Sequence, residues 1–92
     1  MQDGFEKFLE EKAYTRGAIR SRLSRANTAE ELIGVNLDTA VADDEKMYEA
    51  LLRVRDHDNN GNLQHVVRQY YEYKNGRKFP QLREYEKLTG RT

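Results

Sequence analysis

The feature of this sequence that most restricts its fold is the helical spacing of its apolar side chains. Between residues 62 and 75, apolar side chains recur every three or four positions, at Leu63, Val66, Val67 and Tyr70. This spacing places them on one broad face of a helix. No segment shows the period-two alternation of apolar and polar residues that a half-buried strand requires. The chain is therefore predicted to be all-α.

The rest of the chain divides into further helical segments with recognisable starts. Thr15 can act as an N-cap, and Thr28 with Glu31 forms a capping-box pattern that predicts a new, short helix ending near Gly34. Leu37 is expected to fill the core from a loop. The predicted helices besides 62–75 span residues 3–12, 15–27, 28–34 and 43–56, with a last short helix starting at Pro80.

Size and composition indicate one small domain over residues 1–92, a bundle of four to six short helices. The chain has no cysteine, which fits a reducing compartment, and no apolar run near the ~20 residues that span a bilayer. The opening residues, MQDGFEKFLEE, lack the basic start and apolar stretch of a signal peptide. We expect a cytoplasmic location and no membrane partner.

Charge is balanced overall but segregated along the chain. Residues 15–27 carry four arginines and no acid, residues 28–61 carry nine acids against three basic side chains, and residues 62–92 carry seven basic side chains against three acids. Such asymmetry predicts a molecule with a basic side and an acidic side. The alternative is a set of solvated helix faces that merely differ in charge.

The stretch DHDNNGNLQHVV, residues 56–67, resembles a calcium-binding EF-hand loop in part. Asp56, Asp58, Asn60 and Gly61 match the pattern, but the twelfth position, which should supply a bidentate glutamate, is Val67. The alternative is a turn followed by a helix start, in which Asn62 caps the helix and no metal binds. We favour the turn and predict no metal site.

No set of residues in this sequence suggests catalysis. His57 and His65 are the only histidines, and no glycine-rich phosphate loop is present. The stretch HVVR, residues 65–68, matches the His-x-x-Arg pattern of tyrosine recombinase catalytic domains, but a chain of 92 residues has no room for such a domain. We expect no enzyme activity, no catalytic residue, no cofactor and no small-molecule substrate.

The predicted second helix offers a more informative surface. At about 100° per residue, Gly17, Ser21 and Ser24 fall on one face, with Arg20 and Arg25 on either side. Small residues permit close approach, hydroxyls can donate to phosphate oxygens, and arginines add charge-assisted hydrogen bonds. The pattern fits a helix that contacts DNA. It fits equally well a face on which another helix packs, with the arginines paired to the acidic middle segment.

The order of these motifs resembles the SAM-like core-binding domain that precedes the catalytic domain in tyrosine recombinases and phage integrases. The resemblance covers residues 3–76 and rests on FEKFLEEKAYTRGAIRSRLSR, NLDTAV, DDEKMYEALL and NLQHVVRQYYEYKNG. It implies a four- to five-helix bundle, to which residues 77–92 would add a short C-terminal helix.

The resemblance also implies DNA contact through the segments 15–27 and 62–75. The matching positions are Arg16, Arg20, Ser21, Ser24, Arg25, His65, Arg68 and Lys74. The expected function is that of a non-catalytic DNA-binding accessory module involved in DNA recombination. Because its net charge is zero, such a module would bind DNA weakly alone and need a second domain or partner. The alternative is a helical bundle that binds another protein and not DNA.

Overall fold

Six α-helices account for most of residues 4–90, the part of the chain that the computed structural model describes. They are α1 (Gly4–Glu11), α2 (Arg16–Ile33), α3 (Leu37–Val41), α4 (Asp44–Arg55), α5 (Asn62–Asn75) and α6 (Leu82–Leu88). No strand occurs in this range, so the prediction of an all-α bundle is confirmed. Asp3, the predicted start of the first helix, and the last two residues of the predicted C-terminal extension lie outside the described residues.

Helix α5 is the centre of the bundle and contacts α1, α2, α3 and α4. Its apolar repeat explains this position, because Val66, Val67 and Tyr70 are fully buried and Leu63 is half-buried. Tyr70 packs edge-on against Phe5 of α1, with 4.9 Å between the ring centroids. The periodic face predicted from sequence is therefore the face that holds the core together.

Helix α2 runs without a break through the position where the sequence predicted a new helix. Thr28 does not cap a helix start; its hydroxyl donates to the Ser24 carbonyl 3.2 Å away, inside the continuous helix. Ala26 and Ala29 are fully buried and carry the apolar stripe across the predicted boundary. The prediction of two helices here was wrong, because burial of this stripe favours a single helix ending at Gly34.

The segment after α2 forms a short helix, α3, and not the loop expected from sequence. Asn36 caps it, since its Oδ1 accepts from the backbone N–H of Thr39 at 2.8 Å. Leu37 is fully buried, as expected, but it begins this helix. The side chain of Glu30 accepts from the Leu37 N–H at 2.8 Å, which ties the end of α2 to the start of α3.

The capping residue of α5 and the start of α6 differ from the prediction. Gly61, with φ of 80°, precedes α5 and Asn62 is its first residue, so Asn62 is not the N-cap. The capping oxygen comes from Asp58, whose Oδ2 accepts from the Gln64 N–H at 2.9 Å. Helix α6 begins at Leu82, because the Pro80 segment is extended.

Helix α6 is attached to the bundle through aromatic rings and tyrosine–carboxylate hydrogen bonds. The ring of Tyr85 lies 5.1 Å from those of Tyr48 and Phe79. The Tyr48 hydroxyl donates to Glu86 at 2.6 Å, and the Tyr85 hydroxyl donates to Glu45 at 3.2 Å. Residues 77–90 of the C-terminal extension are thus part of the folded domain.

Candidate nucleic-acid interface

The small residues of α2 lie on an open surface, called here the α2 face and made by Gly17, Arg20, Ser21, Ser24 and Arg25. These five residues line a shallow depression, and a methyl group at Gly17 would have no neighbouring atom within 4 Å. Both serines are exposed. No helix within residues 4–90 packs on this surface, contrary to the packing alternative.

The arginines on and next to the α2 face form no ion pair in the described part of the chain. Arg16 and Arg20 are exposed and Arg25 is half-buried, and none of them lies within 4.0 Å of a described carboxylate. Glu6 is the acid at the edge of the region, where it shares a small depression with Arg16 and Arg20. Their guanidinium groups therefore remain available to an anionic partner.

His65 of α5 extends the basic surface across the helix boundary. Partial burial of its ring, followed by the positive charges of Arg22 and Arg25, lowers the pKa of His65. Helices α2 and α5 are in contact, so the two segments singled out from sequence meet in space. The imidazole is exposed, as expected from its position on the polar side of the helix.

Arg68, also predicted to contact DNA, holds the chain between α5 and α6 in the folded domain. Its Nη1 donates to the Phe79 carbonyl at 3.0 Å and to the Pro80 carbonyl at 3.1 Å. The guanidinium is half-buried, and burial lowers the pKa of Arg68. These bonds give Arg68 a structural role, which the sequence did not signal.

Lys74, the remaining predicted residue, lies apart from the α2 face. It is nine positions beyond His65 on α5, about 14 Å along the helix at ~1.5 Å per residue. Its Nζ lies 3.4 Å from Asp38 Oδ1 of α3. The structure therefore groups Arg16, Arg20, Ser21, Ser24, Arg25 and His65 and separates Lys74 from them.

Sequence reasoning missed a polar cluster next to this surface, formed by Tyr14, Arg22 and Gln69. The Arg22 guanidinium stacks on the Tyr14 ring, 3.8 Å from its centroid. Gln69 is buried, and its Nε2 donates to the Tyr14 hydroxyl at 2.9 Å. The available signal was a glutamine beside Val66 and Tyr70 on the apolar face of α5, where a polar side chain needs a buried partner.

The calcium-like loop serves as a helix start. Burial would raise the pKa of Asp58, but hydrogen bonds from Gln64, Leu63 and Gly61 outweigh it and lower the pKa. Within residues 4–90 no group of three or more histidine or acidic side chains is arranged to hold a metal ion. The absence of calcium binding stays a prediction.

Across residues 4–90, none of the helices combines the length and apolar character needed to cross a bilayer. Comparison with known proteins gives no match, whether to a protein-family model, to a curated protein or to a solved structure.

Proposed function

We propose that this chain is a non-catalytic DNA-binding accessory module of the integrase core-binding type. The observation that carries the proposal is the open α2 face, where small residues lie between arginines that have no carboxylate partner within the described residues. A duplex backbone can approach such a face closely, and its phosphates can accept hydrogen bonds from arginine and serine.

The position of His65 supports the same proposal. A phosphate group beside His65 and Arg25 would favour the protonated imidazole, adding a third kind of donor to the surface. Two acids of the middle segment are engaged elsewhere, since Asp38 pairs with Lys74 and Asp44 pairs with Arg77. Repulsion between these acids and a bound phosphate backbone is reduced by that pairing.

The test is the salt dependence of duplex binding by the double variant Arg20→Ala/Arg25→Ala. The parent should bind a short duplex at low salt, and its log affinity should fall against log salt by roughly 0.9 per phosphate that the protein neutralises. The variant should bind more weakly, and its slope should be smaller by about one unit for each phosphate that it no longer neutralises.

A matched control removes the same charge elsewhere. Arg53 and Arg83 are exposed and lie on α4 and α6, so Arg53→Ala/Arg83→Ala should leave DNA affinity nearly unchanged. Absence of duplex binding by the parent at low salt, or an equal loss of affinity in both double variants, would contradict the proposal.

A second candidate function, binding of another protein without DNA, is favoured by one observation. The side chain of Val35 is 45% exposed beside a depression of about 250 Å³ that Ile33 and Ala50 also line. An apolar contact there would depend little on salt. Binding to a partner that persists at high salt and is abolished in Val35→Ser would support this second function.

A further inference from the structure

A concave pocket lies beside the α2 face, between α5, the chain after α1 and the segment before α6. Its volume is about 330 Å³, within the range of ~300 to 1,000 Å³ typical of small-ligand sites. We name it the Gln69 pocket after the amide in its wall. Its lining residues include Tyr14, His65, Arg68, Gln69, Lys78 and Phe79.

In the side-chain amide of Gln69 the nitrogen is hydrogen-bonded and the oxygen is not. Its Nε2 donates to the Tyr14 hydroxyl at 2.9 Å, whereas its Oε1 is buried with no hydrogen-bond partner. The residue is only 6% exposed. A buried acceptor without a donor is unfavourable, so the wall of the pocket would be stabilised by a ligand with an N–H or O–H group.

This arrangement is held in place before any ligand binds. Arg22 stacks on Tyr14 at 3.8 Å and donates to the Ala18 carbonyl at 3.3 Å, which fixes the tyrosine that orients the Gln69 amide. A site whose donors and acceptors are already oriented loses less conformational entropy when it binds.

The rim of the pocket carries a net positive charge. Glu72 is the acid of the lining, and Lys12 neutralises it at 3.3 Å. Lys78 is exposed and lies within 4.0 Å of no described carboxylate, and His65 is exposed next to it in the lining. The ligand that fits therefore has an anionic group at the rim and a hydrogen-bond donor inside.

A nucleotide has both features, and the pocket adjoins α2, because Arg22 of that helix stacks on the ring of Tyr14 in the lining, 3.8 Å from its centroid. We infer that the Gln69 pocket receives one unpaired nucleotide of a DNA whose duplex lies on the α2 face. The base N–H would donate to Gln69 Oε1, and the phosphate would lie at Lys78 and His65. This inference rests on the proposed function.

Only an unpaired base fits, because in a duplex the donor groups of the Watson–Crick edge are already hydrogen-bonded. Every base carries an N–H group and a flat apolar face, so the pocket would accept all four bases against the half-buried Tyr14 ring. Gln69 Oε1 is covered in the free protein, so a base can reach it only after side chains at the pocket move.

The experiment compares three DNA duplexes of equal paired length with the full chain. One is blunt, one has a single unpaired nucleotide at an end, and one has an abasic residue in place of that nucleotide. The unpaired nucleotide should raise affinity about 5- to 10-fold over the abasic form, the size of one good hydrogen bond with partial stacking. Gln69→Met should abolish that difference, whereas Gln64→Met, on the same helix outside the pocket, should keep it.

A second variant covers the case in which Gln69→Met fails to fold. Lys78→Ala changes an exposed side chain, so the fold should persist, and it should weaken binding of both extended duplexes without affecting the blunt one. Equal affinity for the three duplexes, a base preference that survives in Gln69→Met, or unchanged binding of the extended duplexes by Lys78→Ala would overturn the inference and leave the proposed function standing.

Failure of the proposed function itself would look different. In that case no duplex binds, and titration with deoxyadenosine monophosphate tests the pocket alone. Saturable chemical-shift changes at the Gln69 side-chain amide, absent in Lys78→Ala, would support nucleotide binding by the pocket without a duplex. No shift at that amide would overturn it.

Discussion

The hydroxyl of Tyr70 donates a 2.6 Å hydrogen bond to Asp38 Oδ1, and so links the central helix α5 to the short helix α3. The same carboxylate oxygen lies 3.4 Å from Lys74 Nζ. A fully buried ring thus ends in a hydroxyl that reaches a half-buried ion pair at the edge of the core. This linkage explains why a residue predicted to contact DNA, Lys74, is occupied within the domain.

Two substitutions separate the ring of Tyr70 from its hydroxyl. Tyr70→Ala should lower the free energy of unfolding by about 3–5 kcal/mol, because it removes a fully buried aromatic ring. Tyr70→Phe should cost less, about 1.5–3 kcal/mol, the value of one hydrogen bond to a charged group. Urea denaturation measures both, and equal losses for the two variants would show that the ring contributes little.

Thr28→Ala distinguishes the continuous helix α2 from the predicted helix start. In the continuous helix Thr28 is exposed to solvent and lies away from both helix ends. Alanine should therefore stabilise the protein by about 0.5 kcal/mol through its higher helix propensity. Loss of a true N-cap would instead cost about 1 kcal/mol. Thr15→Ala is the control, because Thr15 Oγ1 accepts from the Ala18 N–H at 3.2 Å and caps α2. A higher denaturation midpoint for Thr28→Ala would support the continuous helix, and a lower midpoint would support a helix start at Thr28.

Asp58→Ala should destabilise the protein by about 0.5–2 kcal/mol, because it removes the capping oxygen of α5. The pKa of Asp58 is lowered on folding, so its contribution is present above the unfolded-state pKa and is lost as pH falls through the folded-state pKa. Denaturation curves at several acidic pH values should show the variant and parent converging. Asp56→Ala, at an exposed position, should leave both stability and its pH dependence close to those of the parent.

Arg68→Ala should reduce stability by about 1–3 kcal/mol, since it removes the donor to the carbonyls of Phe79 and Pro80. The exposed Arg20, changed to alanine, should alter stability by less than about 0.5 kcal/mol. Thermal denaturation of the two single variants gives the comparison. Equal stability of both would mean that Arg68 does not hold the α5–α6 connection.

DNA affinity should increase as the pH falls through the pKa that His65 has in the complex, and it should level off below the lowered pKa of His65 in the free protein. In the free protein burial and the charges of Arg22 and Arg25 lower the pKa of His65, and a bound phosphate would raise it again. Each unit of that rise corresponds to a tenfold gain in affinity once the imidazole is protonated. His65→Gln should remove the gain and His57→Gln should not. A pH profile unchanged by His65→Gln would contradict the role of this residue.

The helices that the sequence predicts well are those with a dense apolar repeat. The bounds of α5 match the prediction because Leu63, Val66, Val67 and Tyr70 fix its face and Gly76, with φ of 72°, ends it. The break predicted within α2 failed for a related reason. Thr28 and Glu31 match a local capping pattern, but burial of Ala26 and Ala29 against other helices favours continuity, and that burial is a tertiary effect.

The candidate site was predictable only where it lies on one helix. Arg20, Ser21 and Ser24 share a face by geometry alone, and the structure leaves that face exposed. The Gln69 pocket could not be predicted, because it depends on contacts between residues far apart in sequence, such as the hydrogen bond between Gln69 and Tyr14. Arg68 shows the same limit, since the carbonyls it binds belong to a different segment.

The continuity of α2 has a mechanical consequence. The helix is about 27 Å long at ~1.5 Å per residue, with the exposed arginines near its start and the buried Ala29 near its end. A force applied at Arg20 would therefore act on one continuous helix, which would rotate as a unit. At the far end of the helix Glu30 accepts a hydrogen bond from the Leu37 N–H. A rotation of α2 would therefore displace the start of α3 through this bond.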